Sequence, residues 1–78
     1  MSTSVVERTL LASVITFTAD EMIVSLVDGR RLAVPLAWFP RLAKATASQL
    51  RNYELMGDGE GVHWPDIDED LSVEGLLR

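Results

Sequence analysis

Three aspartates at alternate positions have the residue types and the spacing of a metal site. Asp66, Asp68 and Asp70 match the first ligand positions of a calcium-binding loop. Leu71 then stands where such a loop needs a glycine for its sharp turn, and Leu77 stands where it needs a bidentate glutamate. The pattern therefore favours a solvated acidic loop over a weak, unspecific divalent site, and we predict no metal ion or other cofactor.

Other residue types that support catalysis are scarce or stand in the wrong context. His63 is the only histidine and cysteine is absent, which excludes a multi-histidine zinc site and a Cys–His pair. No serine lies in the G-x-S-x-G pattern of a nucleophile elbow. The alternate glycines of residues 57–61 are accompanied by Asp58 and Glu60 and lead into a predicted strand, which favours a hairpin turn over a phosphate-binding loop. We therefore predict no catalytic residues and a protein that is not an enzyme.

Aromatic residues beside prolines form a second group of candidates. Trp38 and Phe39 precede Pro40, and Trp64 precedes Pro65. Packing is the usual role of tryptophan in a small core, whereas tryptophan and arginine are also enriched at the hot spots of protein interfaces. We predict a partner-docking surface in which such residues lie beside the acidic loop. Its candidate residues are Trp38, Phe39, Arg41, Glu60, His63, Trp64, Asp66 and Asp68.

Acidic side chains are concentrated in the second half of the chain. The 78 residues carry a net charge of −5, and residues 53–78 contain eight acidic residues and one basic residue. Such a surface repels phosphate backbones and suits a basic protein partner, so binding to nucleic acid is not expected. The alternative is a small nucleic-acid-associated regulator that uses the scattered basic residues Arg30, Arg31, Arg41, Lys44 and Arg51.

Length and hydropathy indicate one soluble domain. Apolar residues make up 47% of the 78 residues, and a chain of this length allows a single domain over residues 1–78, with residues 1–10 as a flexible arm. The N-terminus lacks the apolar stretch of a signal peptide. The most apolar run, residues 32–40, contains two prolines and is too short to span a bilayer. We expect a cytoplasmic protein that does not associate with membranes.

Three strands are predicted in the first half of the chain. Alternating apolar and β-branched residues favour strands over residues 12–18, 22–26 and 30–34, and Asp28–Gly29 is a strong hairpin signal. A two-residue loop would mix apolar and polar residues on one face, so we predict a three-residue loop that ends on a left-handed Gly29. The predicted pairs are Leu26 with Arg30, Val24 with Leu32, and Met22 with Val34.

Short helices and a hairpin are predicted in the rest of the chain. A helix over residues 36–45 must begin or break at Pro40. Thr46 and Gln49 have the spacing of a capping box, which predicts a helix over residues 47–52. Strands follow over 53–56 and 61–64, and Ser72 is placed to cap a terminal helical turn. The predicted fold is α+β with a small antiparallel sheet: three strands, short helices, a two-strand hairpin and a terminal helical turn.

Residues 28–77 resemble the small bacterial proteins of domain of unknown function family 2442. The matching segments are 28–30 (DGR), 34–42 (VPLAWFPRL), 53–55 (YEL), 59–65 (GEGVHWP) and 68–73 (DEDLSV). The resemblance implies a compact α+β domain, and it carries no established catalytic residues. Some members are encoded beside a protein of domain of unknown function family 4160, in pairs that look like toxin–antitoxin modules. It therefore implies a protein-binding, antitoxin-like role with a small partner encoded next door, while an edge strand would also suit a homodimer.

Overall fold

The computed structural model describes residues 10–76, which form two three-stranded antiparallel sheets and three short α-helices. The strands are β1 (Ala12–Phe17), β2 (Glu21–Leu26), β3 (Arg31–Pro35), β4 (Glu54–Met56), β5 (Gly61–Trp64) and β6 (Glu69–Ser72). The helices are α1 (Pro40–Lys44), α2 (Ala47–Arg51) and α3 (Val73–Leu76), and a 3₁₀ turn at Leu36–Trp38 precedes α1. The sheet orders are β1-β2-β3 and β4-β5-β6. The predicted α+β fold with antiparallel strands is confirmed.

The register of the first sheet follows its hydrophobic pattern. Three residues separate Leu26 from Arg30, whose carbonyl accepts from Leu26 N–H (2.8 Å). The last of the three is Gly29, whose φ of 97° lies in the region that only glycine enters easily. The three predicted pairs are observed: Met22 with Val34, Val24 with Leu32, and Leu26 with Arg30. Apolar side chains of β2 and β3 therefore share the face that is buried in the core.

A β-bulge in β1 changes which of its residues face the core. The pairing with β2 jumps from Ala12↔Leu26 to Val14↔Ser25, so one strand has an extra residue at this point. Ala12 and Ile15 are consequently both buried, although they are three positions apart and strict alternation would place them on opposite faces. The bulge brings the first residues of β1 against the second sheet.

Proline and a capping box set the helix boundaries. Pro40 occupies the first turn of α1, and the preceding residue, Phe39, has extended backbone angles that separate the 3₁₀ turn from the helix. The helical segment predicted over 36–45 is thus broken where Pro40 requires a break. Thr46 Oγ1 accepts from Gln49 N–H (3.1 Å), and Gln49 Oε1 accepts from Thr46 N–H (3.0 Å), so the predicted capping box of α2 is confirmed.

The second sheet contains a strand that the sequence did not predict. Residues 66–70 were expected to form one acidic loop, but only Asp66 and Asp68 lie in the turn after β5, while Glu69 and Asp70 begin β6. Acidic residues are poor strand formers, and pairing with β5 outweighs that preference here. The expected two-strand hairpin is therefore a three-stranded sheet. Ser72 Oγ accepts from Gly75 N–H (3.1 Å), as predicted for the cap of α3.

Backbone and side-chain hydrogen bonds join the two sheets. Ala12 N–H donates to Gly59 O (2.8 Å), and Ile15 N–H donates to Tyr53 Oη (3.0 Å). The buried residues of both sheets belong to one hydrophobic cluster, against which Leu76 packs at the end of α3. The predicted flexible arm, apart from residue 10, lies outside the described residues.

Candidate docking surface

Trp38 is the most exposed large apolar side chain among residues 10–76. Its side chain is 68% exposed, whereas Leu36 and Leu42 on either side of it are buried. The 3₁₀ turn closes when Phe39 N–H donates to Leu36 O (2.9 Å), and the extended backbone of Phe39 then redirects the chain into α1. This change of direction allows the neighbours of Trp38 to enter the core while the indole stays outside.

Arg41 connects α1 to the acidic turn of the second sheet. Its Nη1 donates to Asp68 O (2.6 Å) and lies 3.9 Å from Glu69 Oε1. Phe39, two residues earlier, is half-buried and packs against the core. The structure thus places Arg41 beside the acidic segment, in the arrangement on which the predicted docking surface depends.

The acidic turn at residues 65–68 is held at more than one point. Asp66 Oδ2 accepts from Asn52 Nδ2 (3.0 Å) just after α2, and Arg41 binds the carbonyl of Asp68. Asp68 has a φ of 54°, a left-handed conformation that aspartate tolerates better than most residues. Both carboxylate-bearing residues are exposed. We call Trp38, Phe39, Arg41, Asp66 and Asp68 together the docking surface.

Trp64 is not part of the docking surface, and its assignment as a partner-binding residue is corrected. The side chain has no exposed area, and its Nε1 donates to Leu50 O (3.1 Å) inside the core. Trp64 and Val62 alternate along β5 on the face that is buried. The packing interpretation of this tryptophan is therefore the right one. Pro65 follows it simply because β5 ends there.

Glu60 is exposed but lies away from the acidic turn. It precedes β5, whereas the acidic turn follows the other end of the same strand. Its backbone carbonyl accepts from Val73 N–H (3.0 Å), which ties the β4–β5 connection to α3. The structure gives Glu60 this local bonding role and does not bring it together with Trp38 or Arg41.

His63 lies on the outer face of the second sheet between two acidic residues. Glu54 of β4 and Asp70 of β6 are its register partners, and His63 Nδ1 is hydrogen-bonded to Asp70 Oδ1. The hydrogen bond to Asp70 raises the pKa of His63, loss of hydration opposes the rise, and the charges of Asp70, Glu54 and Asp68 add to it. Asp70 and Glu54 were missed in the sequence because their pairing with His63 depends on the unpredicted strand and on register.

We expect the His63 pKa to lie above 6.5 and to fall toward 6.5 in Asp70→Asn, because that change removes the main cause of the shift. A histidine whose pKa is raised on folding stabilises the folded state fully below its unfolded pKa. This contribution is lost as the pH rises through the folded pKa. Titration of the His63 ring protons by NMR, with unfolding free energies measured on both sides of that range, checks the expectation. An unchanged His63 pKa in Asp70→Asn would contradict it.

Within residues 10–76, no three histidine, aspartate or glutamate side chains are grouped as metal ligands. No helix in that part of the chain is long and apolar enough to cross a membrane.

The basic residues of the alternative nucleic-acid hypothesis are spread over several elements. Arg30 Nε pairs with Asp28 Oδ2 (2.8 Å) in the β2–β3 connection, and Arg41 is occupied by the acidic turn. The others lie on β3, α1 and α2: Arg31, Lys44 and Arg51. Two of the five cations therefore already bind acceptors of this chain.

These features define a class of protein: a small α+β fold of two three-stranded sheets, with an exposed tryptophan three residues before the arginine that binds the acidic turn. The chain belongs to the family described as "Protein of unknown function (DUF2442)", whose model matches residues 12–78. The expected family resemblance is confirmed.

Two solved structures share this fold. A protein of unknown function from Rhodospirillum rubrum is 33% identical, with a TM-score of 0.74 over 86% of this chain and 83% of that one. An uncharacterized protein from Chromobacterium violaceum, solved by NMR, is 24% identical, with a TM-score of 0.76 over 97% of this chain and 72% of that one. No curated protein matches the chain.

Proposed function

We propose that this chain is a non-enzymatic protein-binding module that docks a small basic protein on the Trp38, Phe39, Arg41, Asp66 and Asp68 surface. We further propose that the partner is encoded beside this chain and that the two form a toxin–antitoxin-like pair in the cytoplasm. This chain takes the antitoxin-like place in the pair.

The exposure of Trp38 is the observation that carries the proposal. An indole that is 68% exposed contributes little to folding, yet Leu36 in the same 3₁₀ turn and Leu42 in α1 are buried. Tryptophan is among the residues most enriched at interface hot spots, where a partner removes it from water. The fold therefore presents a large aromatic side chain that a partner, rather than the core, is suited to bury.

Three other residues of the docking surface, Arg41, Asp66 and Asp68, form hydrogen bonds within the chain. Arg41 of α1 donates to the Asp68 carbonyl, and Asn52, just after α2, donates to Asp66. Two helical segments therefore contact the acidic turn. A preorganised surface loses less conformational entropy on binding than a loose one. These contacts favour a specific docking surface over a flexible charged loop.

The negative charge of residues 53–76 indicates that the partner is a basic protein. Residues 53–76 contain eight acidic residues and no lysine or arginine. A basic protein would be attracted to this end of the molecule, and the attraction would raise the association rate at low salt. The exposed carboxylates at positions 66 and 68 lie in the turn that Arg41 binds, and they suit lysine or arginine side chains of the partner.

Co-expression with the product of the neighbouring gene tests the proposal. We expect the tagged chain and that product to co-elute from a size-exclusion column at a fixed stoichiometry, and the complex to weaken as salt is raised. The neighbour expressed alone should slow growth, and co-expression of this chain should relieve the effect. Separate elution of the two proteins at low salt, with no effect on growth, would contradict the proposal.

A further inference from the structure

A groove runs along the free edge of the first sheet, on residues that do not belong to the docking surface. It lies between residues 15–18 of β1 and the side chains of Ala47, Leu50 and Arg51 on α2, and has a volume of about 380 Å³. Ile15, Phe17 and Leu50 give it apolar walls. Arg51 is the one charged side chain that lines it in the described part of the chain.

The edge of β1 offers an unpaired backbone donor inside this groove. Thr18 N–H donates to Glu21 O (2.9 Å), so Thr18 is hydrogen-bonded to β2. In an antiparallel pair every second residue of a strand bonds to its neighbour, and the residue between points its N–H and C=O outward. The backbone groups of Phe17 therefore point away from β2. Ile15 has the same outward orientation, since its N–H donates to Tyr53 Oη (3.0 Å). Within residues 10–76, Phe17 N–H has no such acceptor.

The opposite edge of the first sheet, formed by β3, is less suited to pairing with a further strand. β3 ends on Pro35, which has no N–H to donate, and its exposed Arg31 also discourages strand pairing. On β1, Tyr53 and Gly59 cover the first part of the edge through their bonds to Ile15 and Ala12. Among residues 10–76, the segment around Phe17 is therefore the part of the β1 edge that is left open to a further strand.

The positive charge of Arg51 favours an acidic segment in the groove. Arg51 lies in the last turn of α2, is exposed, and has no carboxylate within ion-pair distance among residues 10–76. A carboxylate on an incoming segment would form a charge-assisted hydrogen bond with this guanidinium. An apolar side chain two residues from that carboxylate lies on the same face of the strand and would fill the space between Phe17 and Leu50.

We propose that this groove binds an extended, carboxylate-bearing segment of a protein by strand addition to β1. The backbone of the segment pairs with the outward N–H and C=O of Phe17, its apolar side chain packs on Leu50, and its carboxylate pairs with Arg51. The site is separate from the docking surface, so it would remain if the proposed partner of Trp38 proved wrong.

Amide exchange and peptide titration of the full chain test this inference. In the free protein we expect the Phe17 amide to exchange rapidly and the Thr16 amide, which is bonded into the β1–β2 ladder, to be protected. The probe is the acetylated, amidated peptide Thr-Glu-Thr-Val-Thr, whose Glu and Val side chains share one face of a strand. It is used at up to about 1 mM, the range that suits a few strand hydrogen bonds. It should slow Phe17 exchange and shift the Phe17 and Arg51 amide signals.

Charge-reversal variants decide whether Arg51 is responsible. Arg51→Glu should weaken binding of this peptide about tenfold, in line with a charge-assisted hydrogen bond. Arg31→Glu, which changes the net charge equally on the far edge strand, should change it less than about twofold. An equal loss of peptide affinity in both variants would overturn the inference. So would the absence of any shift of the Phe17 amide signal at about 1 mM peptide.

Other occupants of the groove give distinct results. Protection of the Phe17 amide in the free, monomeric protein would mean that the chain's own residues fill the edge. Protection that appears only at concentrations at which the chain dimerises would assign the edge to a second copy. Either result overturns the proposal of an acidic protein segment.

Discussion

Trp64→Ala should lower the free energy of unfolding by about 3–5 kcal/mol, the range for removing a large buried aromatic side chain. Trp64 has no exposed area and donates its indole N–H to Leu50 O, so the substitution leaves both a cavity and an unsatisfied carbonyl between β5 and α2. A domain of this size has a total stability of about 4–12 kcal/mol. We therefore expect the variant to be largely unfolded at moderate temperature.

Urea unfolding of Trp64→Ala, Trp64→Phe and Trp38→Ala measures this difference. Trp64→Phe keeps most of the ring and loses the hydrogen bond, and should cost about 1–3 kcal/mol, which keeps the comparison informative if the alanine variant does not fold. Trp38→Ala should change stability by less than about 0.5 kcal/mol because its side chain is exposed. Equal costs at the two tryptophans would contradict the assignment of one to the core and the other to the surface.

Gly59→Ala should destabilise the fold by about 3–5 kcal/mol through two effects that add. Gly59 has a φ of 110°, a conformation that alanine adopts only with strain. A Cβ at this position would also press on the backbone of Ala12, coming within 2.9 Å of its nitrogen. The clash falls where Ala12 N–H donates to Gly59 O (2.8 Å) and the two sheets meet.

Gly29→Ala is the matched control for Gly59→Ala. Gly29 has a similar φ of 97°, but a Cβ there would have nothing within 4 Å. Its substitution should therefore cost only the backbone strain, about 1–2 kcal/mol. Thermal unfolding of the two variants separates strain from the sheet-to-sheet contact. Similar losses of stability in the two variants would show that the close approach of Gly59 to Ala12 adds nothing to the destabilisation by Gly59→Ala.

Local patterns were sufficient to predict the first sheet and the helix starts. Only one register places the apolar residues of β2 and β3 on a common face, so hairpin length and pairing could be derived without tertiary information. The caps follow equally local rules, since Thr46 and Gln49 satisfy each other's backbone donors whatever lies around them. Pro40 likewise fixes a boundary through its own ring and its missing N–H.

The second sheet could not be predicted in full because its last strand depends on tertiary contacts. Glu69 and Asp70 have weak strand preference, and β6 exists because β5 supplies a register partner for each of its residues. Missing this strand also concealed the pairing of His63 with Asp70, seven positions away in the sequence. The bulge that buries both Ala12 and Ile15 is equally invisible to an alternating pattern.

The sequence predicted which residue types form the candidate site, but not which individual residues belong to it. Trp38 and Trp64 both lie shortly before a proline, so the sequence does not distinguish them. The fold does, because it exposes the indole of Trp38 and buries that of Trp64. Pairing of Arg41 with the acidic turn fits the predicted neighbourhood, but the acceptor is the Asp68 carbonyl rather than a carboxylate. Asn52, which binds Asp66, had no sequence signal because its role depends on the end of α2 meeting that turn.

Calorimetric titration of this chain with the purified product of the neighbouring gene tests the central proposal most directly. Trp38→Ala should raise the dissociation constant by about 30-fold, as expected for an aromatic hot spot worth about 2 kcal/mol. Val27→Ala, which alters an apolar side chain that is 52% exposed on the β2–β3 connection, should leave the constant unchanged. No measurable binding of the wild-type chain, or equal affinities for wild type and Trp38→Ala, would contradict the proposed docking surface.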